Sequence, residues 1–207
     1  MFGPKLIIIK DVRKEQSQRD FYTRLAKKEN FPARSIYKLK EIDERFGLFS
    51  ESDVVLDLGC SPGSWLLYIS QKIGLLGRVV GVDKENPRIE LQPNMNFIKD
   101  DVLRNEFLSS DTLKQKYDAV VSDLSPHTSG IRAKDAAESF LFCQRALEIG
   151  RLCLKRDCSF LCKMLESEKT PLFLKILKEI FKTSVIFRPK ATRRASREIY
   201  LLAQNLK

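Results

Sequence analysis

Four aspartates, Asp57, Asp83, Asp101 and Asp123, stand at or just past the ends of short apolar runs rich in Val and Ile. The first lies in Val54-Val55-Leu56-Asp57-Leu58-Gly59-Cys60-Ser61-Pro62-Gly63-Ser64-Trp65, where an apolar strand passes through a turn of small residues into a helix. Doubly wound sheets bind ligands outside the carboxyl ends of their strands, and glycine lets the backbone approach a ligand closely there. Asp83, at the end of the second strand, is placed to accept hydrogen bonds from the ribose hydroxyls of a nucleoside. Asp101 follows the third strand, where an adenine amino group would lie. Gly59 and Gly63 are spaced G-x-x-x-G, so neither the dinucleotide fingerprint G-x-G-x-x-G nor the phosphate loop G-x-x-x-x-G-K-[ST] is present. A rim of carboxylates suits a cationic nucleoside better than an anionic dinucleotide. S-adenosylmethionine, with a sulfonium, an ammonium and no phosphate, fits that description.

The elements that must position these residues follow from hydrophobic periodicity. Strands are expected at Val54–Gly59, Arg78–Asp83, Asn96–Asp100, Ala119–Asp123, Ser159–Leu165, Ser184–Phe187 and Ile199–Ala203. Helical patterns run over Ala33–Phe46, Ser64–Ile73, Ala133–Leu154 and Leu172–Phe181. Alternating strands and helices, with strands apolar on both faces, predict an α/β fold with a mostly parallel sheet covered by helices. The link Arg188–Arg197 contains Pro189 and no helical pattern, so it is too short and irregular for a crossover, and the last strand is expected to be antiparallel.

The chain has 207 residues and suits one α/β domain. No apolar run approaches the ~18–20 residues that span a bilayer, and Leu6–Ile9 is too short for a signal-peptide core. The five cysteines include no C-x-x-C pair and His127 is the only histidine, so neither a disulfide framework nor a metal site is expected. A net charge of +10 suggests a polyanionic partner. From Lys182 to Lys207 the basic residues Lys182, Arg188, Lys190, Arg193, Arg194, Arg197 and Lys207 face Glu198 alone.

Five pieces in order resemble the FtsJ-like (RrmJ) family of ribose 2′-O-methyltransferases. They are Arg34-Ser35-Ile36-Tyr37-Lys38-Leu39, the glycine loop with Pro62-Gly63-Ser64-Trp65, Ser122-Asp123-Leu124-Ser125-Pro126, Phe160-Leu161-Cys162-Lys163, and Ser196-Arg197-Glu198-Ile199-Tyr200. The resemblance implies the Rossmann-like methyltransferase fold with a seven-stranded sheet. A basic, loosely ordered N-terminal extension is expected at 1–32, before a single methyltransferase domain at 33–207. It implies a Lys-Asp-Lys-Glu tetrad, which falls on Lys38, Asp123, Lys163 and Glu198. It implies S-adenosylmethionine held by Asp57, Gly59, Ser61, Pro62, Gly63, Trp65, Asp83, Asp101 and Asp123, leaving as S-adenosylhomocysteine. The chain departs from the family pattern at Cys60 and Ser61, at Ser64 where Gly is usual, and at His127 where Asn is frequent.

Methyl transfer from a sulfonium is an in-line displacement, so alignment of the hydroxyl with the methyl carbon is the enzyme's main task. A ribose hydroxyl gains from a base. Lys163, at the end of an apolar strand, is the candidate, because burial and a neighbouring cation such as Lys38 both favour a neutral amine. Asp123 and Glu198 are expected to hold the two lysines. A 2′-hydroxyl target selects RNA over DNA. Arg34, Arg193, Arg194 and Arg197 are expected to grip its phosphates. The compact length favours a uridine of large-subunit ribosomal RNA, in an assembled particle in the cytoplasm, over a tRNA. No membrane and no obligate protein partner is expected. A base methyltransferase lacks support, since there is neither a Pro-Cys nor a Thr-Cys pair nor an Asn/Asp-Pro-Pro-aromatic loop. A non-catalytic ribosome-assembly factor with the same fold is disfavoured by the intact tetrad.

Overall fold

The computed structural model describes residues 21–127 and 129–207. In chain order these form α1 (Ile36–Phe46), β1 (Val54–Leu58), α2 (Ser64–Ile73), β2 (Arg78–Asp83), β3 (Met95–Lys99), β4 (Tyr117–Ser122), α3 (Arg132–Cys153), β5 (Leu154–Leu165), α4 (Thr170–Ile180), β6 (Phe181–Phe187) and β7 (Glu198–Leu206). A further short helix covers residues 21–28. The seven strands form one sheet in the order β3-β2-β1-β4-β5-β7-β6. Strands β1 to β5 pair in parallel, and β7 runs antiparallel between β5 and β6. The order reverses on either side of β1 and β4, which creates the crevice at the carboxyl ends where such sheets bind ligands.

Each face of the sheet carries its own core. Leu56, Leu58, Val120, Phe160, Cys162, Met164 and Leu201 pack with Phe140 and Leu147 of α3 and with Phe173 and Leu177 of α4. Val55, Ala119, Val121, Leu161 and Leu202 pack on the opposite face with Ile36, Leu39 and Ile42 of α1 and with Trp65, Leu66 and Ile69 of α2. Side chains alternate between faces along a strand. Asp57 therefore shares the α1–α2 face with Val55, Asp123 with Val121, and Lys163 with Leu161. Glu198 and Tyr200 share it with Leu202, and Asp83 with Val79. The sheet thus aims the chemistry-bearing residues at one helix pair.

Several boundaries differ from those the sequence suggests. β5 starts at Leu154, directly after α3, because exposed Lys155, Arg156 and Asp157 continue the strand on its solvent side. Lys155 there holds Asp118 at 2.7 Å. Phe181 leaves the helical pattern and begins β6, its fully buried ring stacked 6.1 Å from Phe160. Of the expected N-terminal extension, residues 1–20 lie outside the described residues. Residues 21–32 pack on the domain: Ala26 is buried, Tyr22 meets the Tyr37 ring at 5.3 Å, and the Tyr37 hydroxyl donates to Glu29 at 3.0 Å. Phe21, Tyr22, Leu25 and Ala26 have helical spacing, but the run spans only about two turns, too short for periodicity to announce this helix. No disulfide forms among the described residues, which include all five cysteines. Among the described residues, no helix is long and apolar enough to cross a membrane.

Candidate active site

Two lysines are buried at the carboxyl rim, Lys38 and Lys163, each 7% exposed. An ammonium loses much hydration on burial, and only close partners compensate it. Each lysine has a carboxylate of its own. The Lys38 ammonium bonds Glu198 Oε2. Lys163 Nζ lies 3.1 Å from Asp123 Oδ1 and donates to the Asp123 backbone carbonyl at 2.6 Å. The two acids expected to hold the lysines stand one beside each, Glu198 at Lys38 and Asp123 at Lys163. Tyr200, paired with Lys163 across β5 and β7, donates its hydroxyl to Asp123 Oδ1 at 3.0 Å. Burial, then the charges of Asp123 and Glu198, hold its phenol well above the usual range, so Tyr200 stays a proton donor and fixes the carboxylate that faces Lys163.

The loop after β1 requires its glycines. At Gly59 φ is +78° and an added Cβ would fall 2.8 Å from Leu124 Cδ2, in the segment that carries Asp123. At Gly63 φ is +107° and the Cβ would meet Ile89 at 2.9 Å. The Ser61 amide donates to Asp83 Oδ2 at 2.9 Å and the Glu85 amide to Asp83 Oδ1 at 2.9 Å. Asp83 therefore braces the loop as well as ending β2. Pro62 and Ser61 are half-buried beside it. Asp101 accepts the Leu103 amide at 2.9 Å and has Lys84 at 3.8 Å.

Asp57 is the unusual group. Its side chain is fully buried, and among the described residues neither carboxylate oxygen meets a hydrogen-bond donor. Burial, and then the nearby charges of Asp123 and Asp83, push its carboxyl well above the ordinary range. An unpaired buried carboxylate is costly unless something cationic or protonated completes it. The ammonium end of a nucleoside such as S-adenosylmethionine has that chemistry, so the residues present fit such a ligand.

Trp65 is placed apart from the other loop residues. Its indole is buried, packs 5.9 Å from the Tyr200 ring and donates Nε1–H to the Ser35 carbonyl at 3.1 Å. It fastens α2 to the start of α1 rather than lining the open loop. Ser64 works alongside it: its hydroxyl oxygen accepts the Ala33 amide at 2.7 Å and donates to the Ala33 carbonyl at 3.1 Å. A glycine at position 64 would lose that tie. The residue type of Tyr200 signals its role only once the pairing of β5 with β7 is known.

The expected phosphate-binding residues fall around this site. Arg34 is half-buried just before α1, and Arg193 and Arg194 are exposed in the β6–β7 link. That link is shaped by Arg188, whose guanidinium donates to the carbonyls of Arg193 at 3.3 Å, of Arg194 at 3.2 Å and of Ser196. The Lys190 amide donates to Glu41 Oε2 at 2.7 Å, which docks the link onto α1. Arg197 donates to the Arg132 carbonyl at 3.3 Å. His127 is exposed in the loop after β4.

A family model described as FtsJ-like methyltransferase matches residues 31–206. The chain is 42% identical over 191 residues to a ribosomal RNA large subunit methyltransferase E of Desulfatibacillum aliphaticivorans, covering 91% of each chain. It is 41% identical over 194 residues to the protein of the same name from Bdellovibrio bacteriovorus, covering 91% of this chain and 97% of the relative. A crystal structure from Plasmodium falciparum described as a ribosomal RNA methyltransferase superposes with a TM-score of 0.73 at 24% identity, covering 85% of this chain and 98% of that one; it shares the fold.

Proposed function

The chain belongs to the FtsJ-like methyltransferase family, and we propose that it methylates a ribose 2′-hydroxyl of RNA, with S-adenosylmethionine as donor and large-subunit ribosomal RNA as substrate. The reading of the substrate rests on the names of the relatives at 41–42% identity. The observation that carries the chemistry is the pair of buried lysine–carboxylate contacts beside the unpartnered Asp57. This reading places the enzyme in the cytoplasm, with the ribosomal particle.

When bound, S-adenosylmethionine would supply a methyl group on a sulfonium, with S-adenosylhomocysteine as the leaving product. The residues named above divide the remaining tasks. Asp57 completes its buried carboxylate with the ammonium end of the donor. Asp83 would hold the donor's ribose hydroxyls on lone pairs not used by the Ser61 and Glu85 amides, and Asp101 would hold the adenine amino group. Gly59 and Gly63 keep the loop clear of side chains. Lys163, as the free amine, takes the hydroxyl proton and becomes an ammonium that Asp123, steadied by Tyr200, holds. Lys38, anchored by Glu198, orients the 2′-oxygen. A protein that gathers acceptor and donor in one geometry converts a bimolecular displacement into an effectively unimolecular one.

The test is transfer of tritiated methyl groups from S-adenosylmethionine to large-subunit particles, and to the ribosomal RNA freed from them, taken from cells lacking the enzyme. A 2′-O-methyl group removes the nucleophile of alkaline cleavage, so the label should survive alkali in a dinucleotide. Label recovered in single nucleotides would mean a base had been methylated and would overturn the reading.

A further inference from the structure

A cavity of about 410 Å3 opens between the first turns of α3, the β5–α4 turn and the residue that precedes β7. That volume lies in the range of sites that seat a small organic group. Its floor is formed by Ala133, Ala136 and Ala137, which share one helix face, so nothing larger than a methyl projects into the space. Around the floor stand Arg132, Lys169 and Arg197 against the single acid Glu168. A second carboxylate close by, Asp135, is buried and satisfied by the Ser129 amide at 2.8 Å and the Ser129 hydroxyl at 2.6 Å. Lys169 is held with its ammonium 5.0 Å from the Phe140 ring.

Arg197 joins this cavity to the reacting site. The next residue, Glu198, holds Lys38. The Arg197 carbonyl accepts the Glu166 amide at 2.8 Å, three residues beyond Lys163. Arg197 turns to the α3 side, where it bonds the Arg132 carbonyl, and Glu198 to the α1–α2 side, so the cavity and the tetrad open on the two sides of one carboxyl rim, which a strand of RNA crosses in passing from one to the other.

We infer that the cavity seats a nucleotide of the substrate RNA next to the one that is methylated, with its base over the alanine floor and its phosphate among Arg132, Lys169 and Arg197. The inference rests on RNA being the substrate. An apolar floor accepts the face of any base, and guanidinium and ammonium groups recognise the phosphate without regard to sequence. Anchoring the neighbouring nucleotide restricts the target ribose, so binding energy from a non-reacting part of the substrate goes into alignment.

Two variants probe the site from different sides. Ala133→Trp fills the space from an exposed helix position without changing charge, and Arg132→Ala combined with Lys169→Ala removes two cations. Binding to naked large-subunit ribosomal RNA and to assembled large-subunit particles is measured, with methyl transfer to each, and melting temperature and S-adenosylmethionine affinity serve as controls. Ala133→Trp should weaken RNA binding and raise the KM for RNA about tenfold, the loss expected when a well-seated group is displaced. The double variant should flatten the log–log salt dependence by about 0.7 for each phosphate it no longer neutralises. Wild-type KM and slope in both variants would overturn the inference. So would a loss confined to the double variant, which would make the cations a solvated surface. Loss on assembled particles with normal binding to naked RNA would assign the cavity to a protein and also overturn it. A wild-type enzyme that transfers no methyl group to RNA would refute the substrate reading itself, while the binding comparison would still decide the cavity.

Discussion

Lys163 and Lys38 sit in similar burial but answer to different acids, and substitution separates their tasks. Lys163→Ala should lower turnover by about 10²–10⁴-fold, the usual contribution of a general base, with the donor still bound. Lys163→Arg keeps the charge next to Asp123 yet cannot release a proton at usable pH. It should be nearly as slow in single-turnover kinetics, and an active Arg variant would leave Lys163 with alignment alone. Asp57 gives a prediction in pH. A carboxyl pushed up by burial stabilises the folded chain in its protonated form. That contribution is full below the ordinary carboxylate range and is lost as pH rises through the raised value. A cationic donor favours the ionised form, so binding expels the proton and affinity should climb with pH until Asp57 is ionised in the free protein. Asp57→Asn should flatten that climb and weaken donor binding by about 1.5–3 kcal/mol, the range for a hydrogen bond to a charged group. A level wild-type profile by calorimetry would remove Asp57 from ammonium binding. The sequence makes Asp57 a candidate by its place on a strand, but its lack of partners depends on neighbours from β2 and β4. Lys38 is legible only through the family pattern, because its partner Glu198 lies 160 residues away.

At the scale of elements, the position of Lys38 is set by the tie between α1 and α2. Trp65→Phe retains a ring over Tyr200 and loses the bond to the Ser35 carbonyl. It should cost about 0.5–1.5 kcal/mol of stability in chemical denaturation and lower kcat more than donor affinity. Equal losses in both would place Trp65 in the donor site after all. Gly59→Ala forces a side chain into a left-handed turn against Leu124 and should cost about 1–3 kcal/mol, with weaker donor binding, since the same turn bears the cofactor loop. The helix Ser64–Ile73 could be read to the residue because small turn residues and a following glycine bound it. β5 could not, because after Leu154 it runs through the charged Lys155, Arg156 and Asp157, where its register with β4 shifts before Ser159. The common face of Asp57, Asp83, Asp123, Lys163 and Glu198 is in principle legible from alternation along the strands. What alternation alone does not give is the order β1-β4-β5-β7 that makes neighbours of those strands.

At the scale of the whole molecule, the net charge is +10, and the basic β6–β7 link that leads into Glu198 is held in place by Arg188 and the Glu41 bond. Arg193→Ala and Arg194→Ala should weaken RNA binding and flatten its salt dependence by up to about one unit for each phosphate left without its cation, with donor affinity unchanged. An unaltered slope would make this link a solvated surface. Charge count alone indicates a polyanion, and the sequence does not show that Arg188 and Glu41 fasten the basic link to α1, the helix that carries Lys38. The most direct test is where the methyl group lands. Large-subunit ribosomal RNA from cells lacking this protein, treated with the purified enzyme and S-adenosylmethionine, can be mapped by mass spectrometry of nuclease fragments. A tetrad that activates a ribose hydroxyl predicts one new methyl group, on a ribose 2′-oxygen, that Lys163→Ala does not produce. A methyl group on a base, or the same ribose mark made equally fast by Lys163→Ala, would contradict it.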